Sequence, residues 1–332
     1  MARPRTKKVD EVKRRLVARL QDGFIRPGDR FLSTRIIAEK FAVSFQTAHR
    51  LARELCEEGL LERRRASGTF IPGTRGLLRG VELLFHARAK RAESFGARLL
   101  EELAARLDRE RVPWKLRWLE GTGGPDLPAR SYPVIWECRG AVEACASARR
   151  PALLLNDRPP SGIAAVSIDS VSTDDFSGGA CAAQILQRRG EGPGAGGFAI
   201  VSGPEGDERS DQRVAGFRSL LKAAVFPAGW YFEDGERVAG SALARGTRGI
   251  FCCNDRIAEA ILDRCADRGV PCPPLVGFDD APVAERLNLT TIAIPWVELV
   301  AAAAAVIQRR LAGDRATASH QTFAPRPVVR GT

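Results

Sequence analysis

The stretch from Pro27 to Pro72 constrains this chain more than any other, because several independent local signals fall into one pattern within it. Ser33 stands where a helix N-cap belongs, ahead of a short helix to about Phe41. The turn Ala42-Val43 leads to Ser44, a second cap, which opens a helix to about Glu58. Ala48, Leu51, Ala52 and Leu55 recur at helical spacing and face inward, which turns Phe45, Gln46, Thr47, His49 and Arg50 outward. Gly59 ends that helix. Leu60–Arg64 and Thr69–Pro72 read as two strands of a basic hairpin carrying Arg64, Arg65 and Gly68. A helix whose first turn presents donors and acceptors, braced by a helix before it, is what a DNA major groove admits and reads.

Charge points the same way. Residues 1–80 carry 19 Lys and Arg against 9 Asp and Glu, while the rest of the 332 residues carry 32 against 31. Nearly all of the net +11 therefore sits on one quarter of the chain. That asymmetry predicts a phosphate-facing module joined to a near-neutral one. Arg3, Arg5, Lys7 and Lys8 form a short basic arm at its start.

These residues resemble the winged helix-turn-helix of the GntR family. The resemblance is carried by Pro27-Gly28-Asp29, Ser33-Thr34-Arg35, Val43-Ser44-Phe45-Gln46-Thr47, Glu58-Gly59-Leu60 and Ser67-Gly68-Thr69-Phe70. It implies DNA contacts from Arg35 and Thr47. Phe45 and His49 depart from the family, which often carries DNA-contacting arginines there. The expected DNA-facing set is Ser33, Arg35, Ser44, Phe45, Gln46, Thr47, His49, Arg50, Arg64, Arg65 and Gly68.

The remainder reads as a second domain. A helix over about Val9–Gln21, apolar at Val12, Leu16, Val17 and Leu20, completes the DNA module, expected over residues 1–72. Glycine and proline over 73–80 mark a linker. From Val81 onward short apolar strands alternate with helices, the signature of an α/β chain with doubly wound parallel sheets. Expected strands include Val81–His86, Trp114–Leu119, Pro133–Cys138, Pro151–Leu155, Phe198–Ser202, Trp230–Glu233, Gly249–Cys253, Leu275–Phe278 and a last one over Gln321–Val329, with Val166–Ser170 at a sheet edge. Expected helices include Ser94–Glu110, Asp174–Gln187, Arg209–Ala223 and Trp296–Leu311, while Gly190–Gly197 reads as a flexible connection.

Three apolar strands run into polar pairs, Asn156-Asp157, Asn254-Asp255 and Asp279-Asp280. Open parallel sheets bind ligands at such carboxyl ends. Vicinal hydroxyls suit carboxylates and amides placed there, and Arg213 can donate a fork back. Phe95, Trp136, Trp230 and Trp296 are candidate stacking faces, each with core packing as the plainer role. Asn254 and Asp279 read as ligand contacts, Asp255 and Asp280 as caps or turn formers.

This half resembles the LacI/GalR effector domain, with its fold of periplasmic sugar-binding proteins. The carrying segments are Ser167-Ile168-Asp169, Arg213-Val214-Ala215-Gly216-Phe217, Cys253-Asn254-Asp255, Val276-Gly277-Phe278-Asp279-Asp280 and Leu289-Thr290-Thr291-Ile292 with Pro295. The resemblance implies effector contacts from Arg213, Asn254 and Asp279, with Asn156 as a further polar contact. Three features depart from it, one being the helix between strands two and three, shortened here to the Gly/Pro loop Gly121–Arg130. The family's N-P-F-F loop is replaced by Arg88–Phe95, where only Phe95 matches, and its minor-groove hinge helix is missing from residues 71–80. The expected ligand set is Arg213, Asn254, Asp279, Asn156, Phe95 and Trp136. The expected lobes are 81–158 with 295–315, and 159–290 with 320–330.

Other chemistry finds little support. Eight cysteines without a C-x-x-C pair suit reduced thiols of the cytoplasm, and three scattered histidines suit no metal centre. No apolar run spans a membrane and no export signal precedes the basic start. The glycine run 192–197 lacks the Lys-Ser/Thr of a P-loop, and no nucleophile elbow or zinc motif occurs. The expectation is a non-enzymatic, cofactor-free cytoplasmic transcription regulator, with an arrangement similar to arabinose-responsive repressors. It would bind a palindromic DNA operator as a homodimer and answer to a small carbohydrate. Alternatives are a sensor half that only dimerises, a solute-binding protein that is not exported, or an enzyme with a basic appendage.

Overall fold

The computed structural model describes residues 7–21, 29–57, 60–64, 67–70, 78–121, 123–127, 130–148, 150–159, 167–189, 197–244, 247–314 and 316–332. The chain forms two compact units, Met1–Leu77 and Leu78–Thr332. Gly59, Arg65, the arm through Thr6, residues 73–77 of the expected linker and the glycine-rich stretch 190–196 lie outside the described residues.

The first unit holds α1 (Lys7–Gln21), α2 (Thr34–Lys40), α3 (Phe45–Glu57) and a hairpin of β1 (Glu62–Arg64) and β2 (Gly68–Phe70). Both expected caps form. Ser33 Oγ accepts from Ile36 N at 3.2 Å and Ser44 Oγ from Thr47 N at 3.1 Å, each worth about 1 kcal/mol of helix stability. Val12, Leu16, Ile37, Ala48, Leu51, Ala52, Leu55 and Leu61 make one buried cluster. Phe31 N donates to Thr69 O at 2.8 Å, which ties the segment before α2 to the hairpin.

The second unit contains strands β3 (Val81–His86), β4 (Trp114–Leu119), β5 (Tyr132–Trp136), β6 (Ala152–Leu155), β7 (Ile168–Thr173), β8 (Phe198–Ser202), β9 (Ala223–Pro227), β10 (Gly249–Cys252), β11 (Leu275–Asp279), β12 (Thr291–Ala293), β13 (His320–Phe323) and β14 (Arg326–Val328). They form two six-stranded sheets. The first has the order β13-β7-β6-β5-β3-β4, parallel throughout; the second has the order β14-β12-β11-β10-β8-β9, with only β14 antiparallel. Helices α4 (Phe95–Arg109), α5 (Arg139–Ser147) and α11 (Trp296–Leu311) pack on the first sheet. Helices α6 (Asp175–Arg189), α7 (Glu208–Arg218), α8 (Phe232–Ala242), α9 (Asp255–Asp267) and α10 (Pro282–Arg286) pack on or beside the second. The chain passes between the lobes after Thr173, between Ala293 and Trp296, and between Phe323 and Arg326. Among the described residues no helix is long and apolar enough to cross a membrane.

Four local expectations are corrected. Residues 168–173 do not lie at an edge or in the second lobe; β7 sits inside the first sheet between β6 and β13. Its buried Asp169 explains why. Arg310 of α11 grips both carboxylate oxygens at 2.8 Å, Tyr132 OH donates at 2.7 Å and Ser319 N at 2.9 Å. The expected last strand is two strands, broken at Ala324-Pro325, and β13 belongs to the first lobe while β14 belongs to the second. Proline cannot donate to a ladder, so the chain changes sheets there. The expected helix 209–223 stops at Arg218, and Ala223–Pro227 is an edge strand whose alanines mask its period. The expected strand 230–233 is the start of α8, because Asp234 Oδ2 accepts from Tyr231 N at 3.1 Å and closes a cap.

Candidate DNA-reading surface and effector cleft

On the first unit the outward residues of α2, α3 and the hairpin form a basic face. A notch of about 330 Å³ is lined by Arg30, Ser33, Thr34, Arg63, Arg64, Gly68 and Thr69. Gly68 has φ +117°, a conformation that favours glycine, and the turn brings Arg30 beside it. Among the described residues Arg35 is held only by an exposed pair with Glu39 at 3.2 Å, worth about 0.3–0.5 kcal/mol and easily surrendered to a phosphate. Arg50 faces Glu54 at 3.9 Å. Arg63 Nη1 lies 3.1 Å from His49 Nε2, joining the hairpin to α3. Arg64 bonds Glu62 at 2.6 Å and lies over the Phe70 ring. Phe45 is 59% exposed, apolar surface of the kind that meets a thymine methyl. Gln46 is exposed, and the Thr47 hydroxyl lies 2.9 Å from that of Ser44. Of the expected set, only Arg65 is outside the described residues.

On the second unit a cleft of about 600 Å³ opens between the lobes. Arg213, Asn254, Asp279, Asn156, Phe95 and Trp136 all line it. The elements explain why. Asn156 follows β6, Asp279 ends β11 and Asn254 follows β10, so three strand ends converge. Phe95 opens α4 after the Ser94 cap, whose Oγ accepts from Ala97 N at 3.1 Å. Gly216 lets α7 approach α6 too closely for any side chain, which sets Arg213 Nε 2.7 Å from Asp175 Oδ1. The Arg213 guanidinium also donates to Cys253 O at 2.5 Å, covers the Phe278 ring at 3.7 Å and stands 3.7 Å from Asp279 Oδ1.

Burial pushes the Asp279 carboxyl up to about 7, against the pull of Arg213. Burial, then the Asp279 charge, raises Asp255. Asp255 accepts from Thr291 Oγ1 at 2.6 Å and Ala281 N at 2.7 Å. Asn254 is the cap, a role the sequence reading gave to Asp255. Its Oδ1 accepts from Ile257 N and its Nδ2 donates to Trp230 O, both at 2.8 Å. Asp280 bonds Arg330 at 2.8 Å. Glu93, Glu137, Asn156 and Asp279 all have positive φ and all line the cleft. Strain of about 1–3 kcal/mol per such residue is typical of ligand sites.

The sequence reading missed the charged ties across the cleft mouth. Glu137 of the first lobe takes Arg88 from its own lobe and Arg209 from the second, at 2.5 and 2.6 Å. Arg91 grips Glu233 through both oxygens and lies over Tyr231. Glu93 meets Arg256 at 2.5 Å and Arg286 at 3.3 Å. Arg98 donates to Asp280 O at 3.1 Å. Arg88, Arg91 and Glu93 among them come from the loop that departs from the LacI/GalR pattern. The charge density of 88–98, with Arg88, Lys90, Arg91, Glu93 and Arg98, was the available signal.

Fold and cleft together define a two-lobed domain of the periplasmic-binding-protein type, preceded in the chain by a winged helix. Residues 8–71 match the family model of bacterial regulatory proteins, gntR family, and residues 193–332 match that of the periplasmic binding protein-like domain. Residues 8–71 are thus similar to the gntR-family DNA-binding region, and the second unit shares the periplasmic-binding-protein-like fold. Similar solved structures include a LacI transcriptional regulator from Rhodococcus, 21% identical over 76% of this chain and 98% of that one, with TM-score 0.62. Another is a LacI family regulator from Enterococcus faecium with bound ribose, 20% identical over 75% and 97%, with TM-score 0.63. The Escherichia coli repressor ascG is 18% identical over 76% and 98%, with TM-score 0.59. No curated protein matches this chain.

Proposed function

We propose that this protein is a sequence-specific DNA-binding transcription regulator whose grip on its operator is set by a small carbohydrate held between the lobes of its second unit. The observation that carries the reading is the convergence of Arg213, Asn254, Asp279, Asn156, Phe95 and Trp136 on one cleft, behind a GntR-type reader. An arginine fork on α7 and a carboxylate at a strand end, walled by aromatic rings, match vicinal hydroxyls on an apolar ring. A neighbour of the same fold was solved with ribose, which supports the sugar class. The protein acts as a homodimer on a palindromic operator in the cytoplasm, because paired reading heads require paired half-sites. It represses, and the effector changes DNA affinity by binding one lobe arrangement more tightly than the other.

A thermal-shift screen against neutral monosaccharides, followed by gel shift on promoter DNA with and without each hit, tests this reading. A stabilising sugar that alters operator affinity is the expected result. DNA binding indifferent to every stabilising sugar would leave a dimerising domain in place of a sensor.

A further inference from the structure

The geometry points to an uncharged polyhydroxylated effector read by the indole N–H edges of Trp136, Trp230 and Trp296, together with the oxygens Asn156 Oδ1 and Asp279 Oδ1, rather than by stacking on the tryptophan faces. This inference rests on the carbohydrate reading above and assigns the groups that recognise it.

Among the described residues those five atoms are buried side-chain N or O atoms with no hydrogen-bond partner, Asp279 Oδ1 having only the looser 3.7 Å ion pair with Arg213, and all five residues line the cleft. Each unsatisfied buried donor or acceptor costs about 1–3 kcal/mol, so folded proteins keep few of them. Their gathering at one cavity, two of them on residues with positive φ, marks groups kept for something that enters.

The ring faces are already engaged within the protein. Trp136 stacks on Phe85 at 5.7 Å and carries Arg88 at 5.6 Å. Trp296 packs on Phe95 at 4.8 Å and carries Arg98 at 4.6 Å. Trp230 has Arg209 at 5.5 Å and Arg213 at 5.7 Å from its ring centre. What these indoles still offer is the N–H, a donor only. Three donors and two acceptors call for a ligand whose groups both accept and donate, and a hydroxyl does both.

Charge complements the argument. The cleft guanidiniums of Arg88, Arg91, Arg209, Arg213 and Arg256 are each held by a carboxylate, from Glu137, Glu233, Asp207, Asp175 or Glu93. Arg98 is spent on a carbonyl and on Trp296. An acidic sugar or a sugar phosphate would have to displace one of these partners, whereas a neutral polyol would not.

The test uses the full chain with ribose, arabinose, glucose and galactose, beside glucuronate and glucose 6-phosphate. Proton–nitrogen correlation spectra resolve the indole N–H signals of the five tryptophans. Trp114, bonded to Asp108 at 2.7 Å, and Trp118 lie on β4 away from the cleft and serve as internal controls. A neutral sugar should bind and move the signals of Trp136, Trp230 and Trp296 while leaving the controls in place. Trp230→Phe and Trp296→Phe should each weaken that sugar about 5- to 20-fold by calorimetry, the range of one lost hydrogen bond. Saturating sugar with the three cleft signals unmoved overturns the inference and leaves the carbohydrate reading intact. So does tighter binding of the charged compounds. No binding by any neutral sugar, in protein that still binds DNA, overturns both.

Discussion

Asp279 shows how a single residue carries several demands. It sits at φ +106°, where a non-glycine residue is costly, and its carboxyl is pushed up to about 7 by burial, with Arg213, Asp175, Arg209 and Arg98 around it. The folded protein therefore holds this proton to higher pH than the unfolded chain does. The contribution to stability is fully present below about pH 4, falls as pH rises, and is gone above about pH 7. Asp279→Asn tolerates the same backbone and cannot ionise. It should melt about 2–4 °C above the parent at pH 8 and lose that advantage by pH 4, in scans of ligand-free protein. On the DNA face, Arg35→Ala should weaken operator binding and lower the salt slope by about one, since one phosphate contact is lost. Thr47→Ala should weaken it without changing the slope. Equal gel-shift affinities for parent and both variants would count against the recognition helix. At this scale residue types were legible and roles were not: Asn254 and Asp255 are both good caps by chemistry, and only the fold assigns the cap to Asn254.

At the scale of elements, legibility followed the strength of the local pattern. Helix α4 has Phe95, Leu99, Leu103 and Leu107 at every fourth residue behind a serine cap, and it forms as read. The edge strand β9 and helix α8 were missed because Ala223-Ala224 carries no period and Gly235 interrupts the helical one. The place of β7 depends on Arg310, 141 residues away, and no local window holds that information. Removing Arg310 leaves Asp169 charged and buried. Arg310→Ala should therefore cost about 3–5 kcal/mol in urea unfolding of the second unit; a loss under 1 kcal/mol would mean the fork is dispensable. The loop 88–95 is the element that departs most from the LacI/GalR pattern. Its exposed ties to Glu233, Arg256 and Arg286 are each worth about 0–1 kcal/mol, and they act together. Glu93→Gln combined with Glu233→Gln should enlarge the radius of gyration of the ligand-free second unit within the intact chain, as read by X-ray scattering. Raising salt to 1 M should do the same to the parent.

For the whole molecule, the division into a basic reader and a near-neutral two-sheet sensor was legible from charge and from alternating elements. Which strand joins which sheet was not, because the chain changes lobes three times among the described residues and each of those changes uses fewer than four residues. Sedimentation should find a dimer whose DNA affinity falls steeply with salt, as the lopsided charge requires. A monomer at micromolar concentration would remove the paired-head scheme. The covalent path from the reader runs through residues 71–77 into β3, a strand of the first sheet. No segment leads from the reader into the second lobe without first traversing its sister. Under the regulation proposed above, movement of that lobe reaches the reader along this covalent path. A chimera placing residues 78–332 behind an unrelated operator-binding module should then inherit inducibility whole, since the machinery of transmission travels with the graft.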